Sequence, residues 1–311
     1  MEFFRKSTNF PFMSTRKVWY GLSIALMVIS FGSFMMRGLN LAIDFKGGVR
    51  IEAAFPTAAN RDAVQRGLAG AGFAEATVQN FGSASDVTIR LPPQSNQDGA
   101  AIRAQVDTVL KSLDPRAEVR SLEVVGPQVG SELRTSAVEA IAAALLLISL
   151  YIAVRFHTWR LSLGAILAVL HDPILVLGVF SITQTSFDLT VVGAILAVIG
   201  YSLNDTVVVF DRIRERFELA RRLPPIEVLD QSINQTLSRT IMTKVVTLIV
   251  VVALYVLGGP ALRGFSEALI IGIVAGTYSS IYISSAIALD FGLKSEHLLP
   301  TTERRPVDEM P

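Results

Sequence analysis

Asp188-Leu-Thr-Val-Val-Gly-Ala-Ile-Leu-Ala-Val-Ile-Gly-Tyr-Ser-Leu-Asn-Asp-Thr-Val-Val-Val-Phe-Asp-Arg212 is the stretch on which the reading of this chain turns. Residues 188–210 are long and apolar enough to cross a hydrocarbon core of about 30 Å as a helix, yet Asp205 sets a carboxylate among them. An acid at that depth costs roughly 3 kcal/mol even on insertion scales, and it survives where it faces a bundle interior, meets a counter-charge or carries a proton. Arg212 follows seven residues later, about 10 Å along a helix. Asp205 is therefore too deep for so short a side chain to reach water unaided.

The rest of the chain supplies its company. Of 311 residues, 51% are hydrophobic, gathered into six runs of spanning length: 18–36, 136–155, 161–182, 188–210, 240–258 and 266–290. The chain reads as an α-helical polytopic membrane protein. The first run is too long for a signal-peptide core and no Ala-x-Ala-like cleavage site follows it closely, so it reads as a retained span. Basic residues crowd the segments before the first span (Arg16, Lys17), between the second and third (Arg155, Arg160), and between the fourth and fifth (Arg212, Arg214, Arg216). The segment 183–187 has none. Short-loop charge bias then puts both termini in the cytoplasm, with 1–17 as a cytoplasmic N-terminal segment, 136–290 as the remaining bundle and 291–311 as a cytoplasmic tail.

Residues 38–134 fall outside the membrane. Their acidic and basic residues nearly balance, which argues against electrostatic capture of a ligand or nucleic acid. Val49–Phe55, Ala76–Phe81, Val87–Leu91 and Val119–Val125 have strand character, while Ala59–Ala71 and Gly99–Leu113 have helical spacing. The order β-α-β-β-α-β is that of a ferredoxin-like α/β domain. It contains no histidine or cysteine, and no catalytic motif. Two glycine-rich elements flank it: Asp44-Phe-Lys-Gly47-Gly48 and Gly126-Pro127-Gln-Val-Gly130. They read as joints for domain motion or as ordinary turns.

Within the membrane, Gly193, Ala197, Gly200 and Asn204 share one face of the fourth span, a surface that another helix can approach closely. His171 and Asp172 lie mid-way along the third span, before Pro173; the pair suits a proton relay or a polar tie. Arg239 and Lys244 on the fifth span are the candidate counter-charges of Asp205. Burial favours a neutral acid and a nearby cation favours the carboxylate, so such a site switches when its counter-charge moves. Only three histidines exist and none has ligand spacing, so no metal is expected. No Walker sequence is present. No nucleophile–base pair supports an intramembrane hydrolase.

The run Gly200-Tyr-Ser-Leu-Asn-Asp-Thr-Val-Val-Val-Phe-Asp-Arg-Ile-Arg-Glu215 resembles the signature of the SecF family of bacterial protein-export membrane subunits, in the resistance-nodulation-division superfamily. Asp44–Gly48, Val125–Gly130, Ser238-Arg-Thr-Ile241, Gly258-Gly-Pro260 and Gly276–Tyr282 match in order, nearly end to end. The resemblance implies one six-helix half of a twelve-helix assembly, with SecD as the other half. It implies the SecYEG channel, the SecA motor, YajC and translocating preproteins as further partners. It implies no cofactor beyond protons as coupling ion, no enzymatic activity, a multi-pass place in the inner membrane, and help for preproteins released on the periplasmic side. Asp205 then resembles a proton-relay aspartate and Arg239 its partner arginine. Pro173, Met242 and Lys244 depart from the common pattern, and Lys244 shares or replaces the role of Arg239. The alternatives are a non-energised scaffold or half of a proton-driven small-molecule exporter.

Overall fold

The computed structural model describes residues 8–93, 98–156 and 158–298; Arg5, Lys6 and the tail beyond 298 lie outside them. Among the described residues, six helical spans are long and apolar enough to cross a membrane: Met13–Arg37, Pro127–Arg155, Trp159–Thr183, Leu189–Leu219, Pro225–Leu257 and Arg263–Asp290. They comprise α1 (Arg16–Arg37), α5 (Pro127–Arg155), α6 (Trp159–Thr183), α7 (Leu189–Leu219), α8 (Pro225–Leu257) and the pair α9 (Arg263–Tyr278) and α10 (Ser284–Asp290). A π-helical turn, Ser279–Ile283, joins the last two without ending the span. Most of α6 and α9–α10 is buried, whereas α1, α5 and α8 turn long apolar flanks outward. That outward grease suits a lipid solvent, which rewards apolar surface as a core does.

Several helices run further than their apolar cores. Pro127 occupies the first turn of α5 behind Gly126, and Pro225 opens α8; proline suits the first helical turn, where its missing N–H is not needed. Helix α7 continues past the membrane to Leu219. There Arg212 donates to Gln235 at 2.6 Å and Arg216 to Gln231, and Arg155 Nη2 reaches both oxygens of Asp211 at 2.9 Å. Backbone polar groups inside the bilayer are satisfied by the helices themselves, the only open-ended solution in lipid.

Between α1 and α5 lies the α/β domain: a short helix α2 (Ile43–Lys46), then β1 (Gly48–Ala54), α3 (Arg61–Gly70), β2 (Thr77–Phe81), β3 (Ser83–Leu91), α4 (Gly99–Leu113) and β4 (Glu118–Val125). The sheet is antiparallel in the order β2-β3-β1-β4, the ferredoxin-like arrangement. Alternation does the sorting. Val49, Ile51, Ala53, Val87, Ile89 and Leu91 pack with Val64, Leu68, Ile102, Val106 and Leu110. Arg50, Glu52, Thr88 and Arg90 fall on the opposite face.

That opposite face sits over the α6–α7 loop. Leu41 and Phe187 form a parallel bridge, with Ala42 N–H donating to Phe187 O and Phe187 N–H to Asn40 O, both at 2.8 Å. Arg90 Nη2 donates to Ser186 Oγ at 2.9 Å. The domain is thereby bonded to the membrane part at a third place, besides its two covalent connections.

Helix α1 crosses α6 where Gly178 meets Ser30: a Cβ on Gly178 would lie 2.1 Å from Ser30 Oγ and 2.8 Å from its Cα. Gly178→Val is expected to destabilise the purified chain in detergent by about 1–3 kcal/mol, the usual cost of overpacking. Nothing lies within 4 Å of the equivalent point on Gly193, so Gly193→Ala should stay within about 0.5 kcal/mol. Thermal unfolding of the two variants checks the comparison.

Candidate ion-pair site within the membrane helices

Asp205 is 5% exposed and Lys244 4%. Lys244 Nζ lies 2.6 Å from Asp205 Oδ2. Neither of these two atoms makes a well-directed hydrogen bond to another described group, so the contact rests on charge attraction. Beneath the ammonium lies Tyr201, its ring centroid 4.1 Å from Nζ, a cation–π contact strengthened by desolvation. The Tyr201 hydroxyl donates to Thr243 O at 3.1 Å and meets Thr247 Oγ1 at 2.7 Å, which pins the ring between α7 and α8.

Arg239, expected as the partner arginine, is exposed and forms no ion pair with Asp205 among the described residues. The helical period explains the choice. Ser232, Thr236, Thr240 and Lys244 recur at every fourth residue and all are buried, so they line one inward row of α8. Arg239 stands one position off that row and is exposed. This i, i+4 polar row was readable in the sequence and points to Lys244 directly; Tyr201 and Thr247 carry no comparable signal.

A second polar cluster adjoins the first. Asp172 is fully buried, and its carboxylate accepts from Ser202 Oγ at 2.5 Å and Ser279 Oγ at 3.0 Å. His171 Nδ1 lies 3.0 Å from Asp172 Oδ1, and its Nε2 lies 2.7 Å from Ser23 Oγ. Four spans therefore contribute: α1, α6, α7 and the last, whose π turn begins at Ser279. Ser202 and Asp205 are three residues apart on α7, hence neighbours on one face. The polar groups form a run through the bundle from Ser23 to Lys244, with Asp172 and Asp205 as its two acids.

Asn204 and its small-residue row behave differently from the close-packed face the spacing suggests. Asn204, Gly193, Ala197 and Gly200 are exposed, with nothing within 4 Å of a Cβ placed on Gly193 or Gly200. Among the described residues, no helix occupies that face.

The two glycine motifs come together as one contact. A Cβ on Gly130 would lie 2.8 Å from Gly47 N, and one on Gly47 would lie 2.9 Å from Pro127 Cα. Gly47 and Gly48 have φ of +74° and +123°, values open to glycine and strained for other residues. Asp44 Oδ2 accepts from Leu189 N–H at 2.9 Å, beside the N-cap Asp188 that accepts from Val191 N–H at 3.1 Å. So the first motif grips both α5, through glycine-to-glycine backbone contact, and the outer end of α7, through a carboxylate at its positive terminus.

The family described as protein export membrane protein SecD/SecF, C-terminal, matches residues 105–294, and the SecD/SecF GG motif matches 32–55. Protein translocase subunit SecF of Haemophilus influenzae is 47% identical over 300 residues, 96% of this chain and 91% of that one. Its counterpart in Pseudomonas aeruginosa is 45% identical, over 96% of this chain and 97% of that one. The crystal structure of SecDF, a translocon-associated membrane protein from Thermus thermophilus, superposes with a TM-score of 0.82 at 37% identity, covering 91% of this chain and 39% of that one. SecDF in a super-membrane-facing form gives 0.69.

Removing one partner of a buried ion pair leaves the other charge uncompensated. Lys244→Met is expected to destabilise the chain by about 3–5 kcal/mol, most of it recovered in Asp205→Asn/Lys244→Met. Arg239→Gln should change stability by less than about 0.5 kcal/mol. Thermal unfolding of the four proteins in one detergent checks both statements.

Proposed function

We propose, from the premise that this chain belongs to the SecD/SecF family of protein-export membrane proteins, that it serves as the SecF subunit of a preprotein translocase and couples proton movement to export through Asp205. The observation that carries the reading is the buried Asp205–Lys244 pair. An ion pair sealed inside a bundle adds little stability over apolar packing, and intramembrane ionisable groups mark proton and ion routes.

The chemistry is simple. Protonating Asp205 neutralises it and leaves Lys244 as a buried cation supported by the Tyr201 ring. The packing of α7 on α8 then loses the attraction that held it, and an arrangement exposing Lys244 to water or to another acid becomes favourable. Loss of the proton restores the pair. A full transmembrane potential of 100 mV adds about 2.3 kcal/mol per charge, a useful bias on two packings of similar energy. Asp172, His171 and the serines bonded to them extend the polar path toward α1, and Arg239 lies at the cytoplasmic approach to the site.

Motion at Asp205 has a rigid route outward. Leu189 precedes Asp205 by 16 residues, about 24 Å of continuous helix, and its N–H is held by Asp44 at the base of the α/β domain. A shift of α7 therefore moves the domain that meets the preprotein on the periplasmic side.

The exposed row Gly193-Ala197-Gly200-Asn204 supports a SecD-type half as its covering partner. Lone small-residue faces in a bilayer favour close helix association, and the SecDF chain of Thermus thermophilus is longer than this one, which spans 39% of it. SecYEG, SecA and YajC complete the expected assembly in the inner membrane, with both termini cytoplasmic and protons as the only coupling species.

The test is preprotein translocation into inverted membrane vesicles containing SecYEG, SecD and this chain, with and without a proton gradient. Asp205→Asn at matched complex levels should abolish the gradient-dependent component and leave the nucleotide-driven component intact. Persistence of the gradient effect would assign Asp205 a structural role and favour a non-energised scaffold. Gly200→Leu, silent for the isolated chain's stability, should reduce co-purification of SecD.

A further inference from the structure

Where the polar face of the sheet meets the outer ends of α7 and α9 there is a cavity of about 140 Å³. Arg50 of β1, Thr88 and Arg90 of β3, Asp188 ahead of α7, and Arg263 with Gly264 in the first turn of α9 line it. Three arginines line it with one carboxylate; of the three, Arg263 is exposed and also donates to the Tyr255 hydroxyl at 3.3 Å. That carboxylate is already engaged, since Asp188 accepts from Thr190 Oγ1 at 2.6 Å and Val191 N–H.

The pairing of the strands makes the arrangement costly. Arg50 and Arg90 stand directly opposite one another on β1 and β3, and like charges so placed are destabilising. Glu123 relieves part of this through its 2.7 Å contact with Arg50 Nη2. Arg90 has no such partner among the described residues: it donates to the neutral Ser186 hydroxyl, and burial together with the charge of Arg50 pushes its guanidinium below the ordinary range. Two buried polar atoms are left over. Arg50 Nε and Thr88 Oγ1 have no hydrogen-bond partner among the described residues, although Thr88 is only 5% exposed and an unmet buried donor costs about 1–3 kcal/mol.

A fold keeps clustered cations and idle donors when something binds them. We infer that this cavity is a phosphate-binding site, taking the phosphate group of an anionic phospholipid or free inorganic phosphate at the junction of the α/β domain with the bundle. Arginine forks match phosphate oxygens in bidentate geometry, the Thr88 hydroxyl supplies a further donor, and the first turn of α9 directs its positive end to the same place. Bound there, the anion bridges the sheet to both α7 and α9, fastening the outer domain to the two helices whose inner parts carry Asp205 and, at the turn that follows α9, Ser279. The site stands on its own contacts and does not depend on the export reading.

The test uses the full chain in detergent, titrated separately with dioctanoyl phosphatidylglycerol, phosphate-free dioctanoylglycerol and inorganic phosphate, read by native mass spectrometry and melting temperature. The phosphatidylglycerol or the inorganic phosphate should bind and raise the melting temperature, while dioctanoylglycerol should not. Arg90→Gln and Arg263→Gln should each weaken binding by about tenfold or more, with the exposed Arg66→Gln as an unaffected control. Thr88→Val keeps the β-branched shape of the strand residue and should weaken binding even if an arginine variant folds poorly. Saturation by phosphatidylglycerol alone identifies a lipid headgroup; equal binding of inorganic phosphate identifies the free ion. Absence of binding by both, or binding unchanged in Thr88→Val and Arg90→Gln, overturns the proposal.

Discussion

Two opposite charges at van der Waals contact, shut away from water, govern the membrane half of this molecule. Lys244 and Asp205 can stay charged there only while each supplies the other's counter-ion, because solvation lost on burial has no other replacement. Their elements are arranged accordingly. Helix α8 devotes a whole inward row to polar residues that end at Lys244, Tyr201 lies flat beneath the ammonium, and α7 brings Ser202 and Asp205 to adjacent turns so that one helix serves both acids. The neighbouring Asp172 shows the contrasting solution. His171 on its own helix and serines from two others satisfy its oxygens, while Asp205 has Lys244 as its one ion-pair partner among the described residues.

The fold was largely legible because its signals are long and redundant. Six apolar runs and a β-α-β-β-α-β pattern each draw on many residues, and an error at one position changes an end rather than an element. The ends themselves were less legible. Hydropathy follows the bilayer, so α5 and α8 were expected about ten to fifteen residues shorter than the helices that Pro127 and Pro225 begin. The site divided along the same line. Asp205 stands out in any reading, since a charge in grease needs no context. Its partner depended on which face of α8 turns inward: depth pointed to Lys244 and the resemblance to relatives to Arg239, and the pair forms with Lys244. The serines around His171 and Asp172 were hidden because positions 23, 202 and 279 acquire meaning only when distant helices meet.

The glycine motifs illustrate how composition read locally leaves a role open. Glycine permits motion and it also permits contact, and the sequence does not distinguish the two. Here Gly47 and Gly130 are small so that two backbones can touch, and the positive φ of Gly47 and Gly48 turns the chain from α2 into β1. Together with the Phe187 bridge and Asp44, this makes the base of the α/β domain continuous with α5 and α7.

Continuity of that kind gives α7 a mechanical character. With the end nearest the α/β domain held by Asp44 and the helix itself stiff, the proposed coupling would use α7 as a lever with its fulcrum at Leu189 and the ion pair on the long arm. A sideways displacement of 1 Å at Asp205, about 24 Å away, corresponds to a tilt of only about 2°. The α/β domain lies on the far side of that fulcrum, so under the proposed coupling the reach of its outermost strand would set the gear ratio.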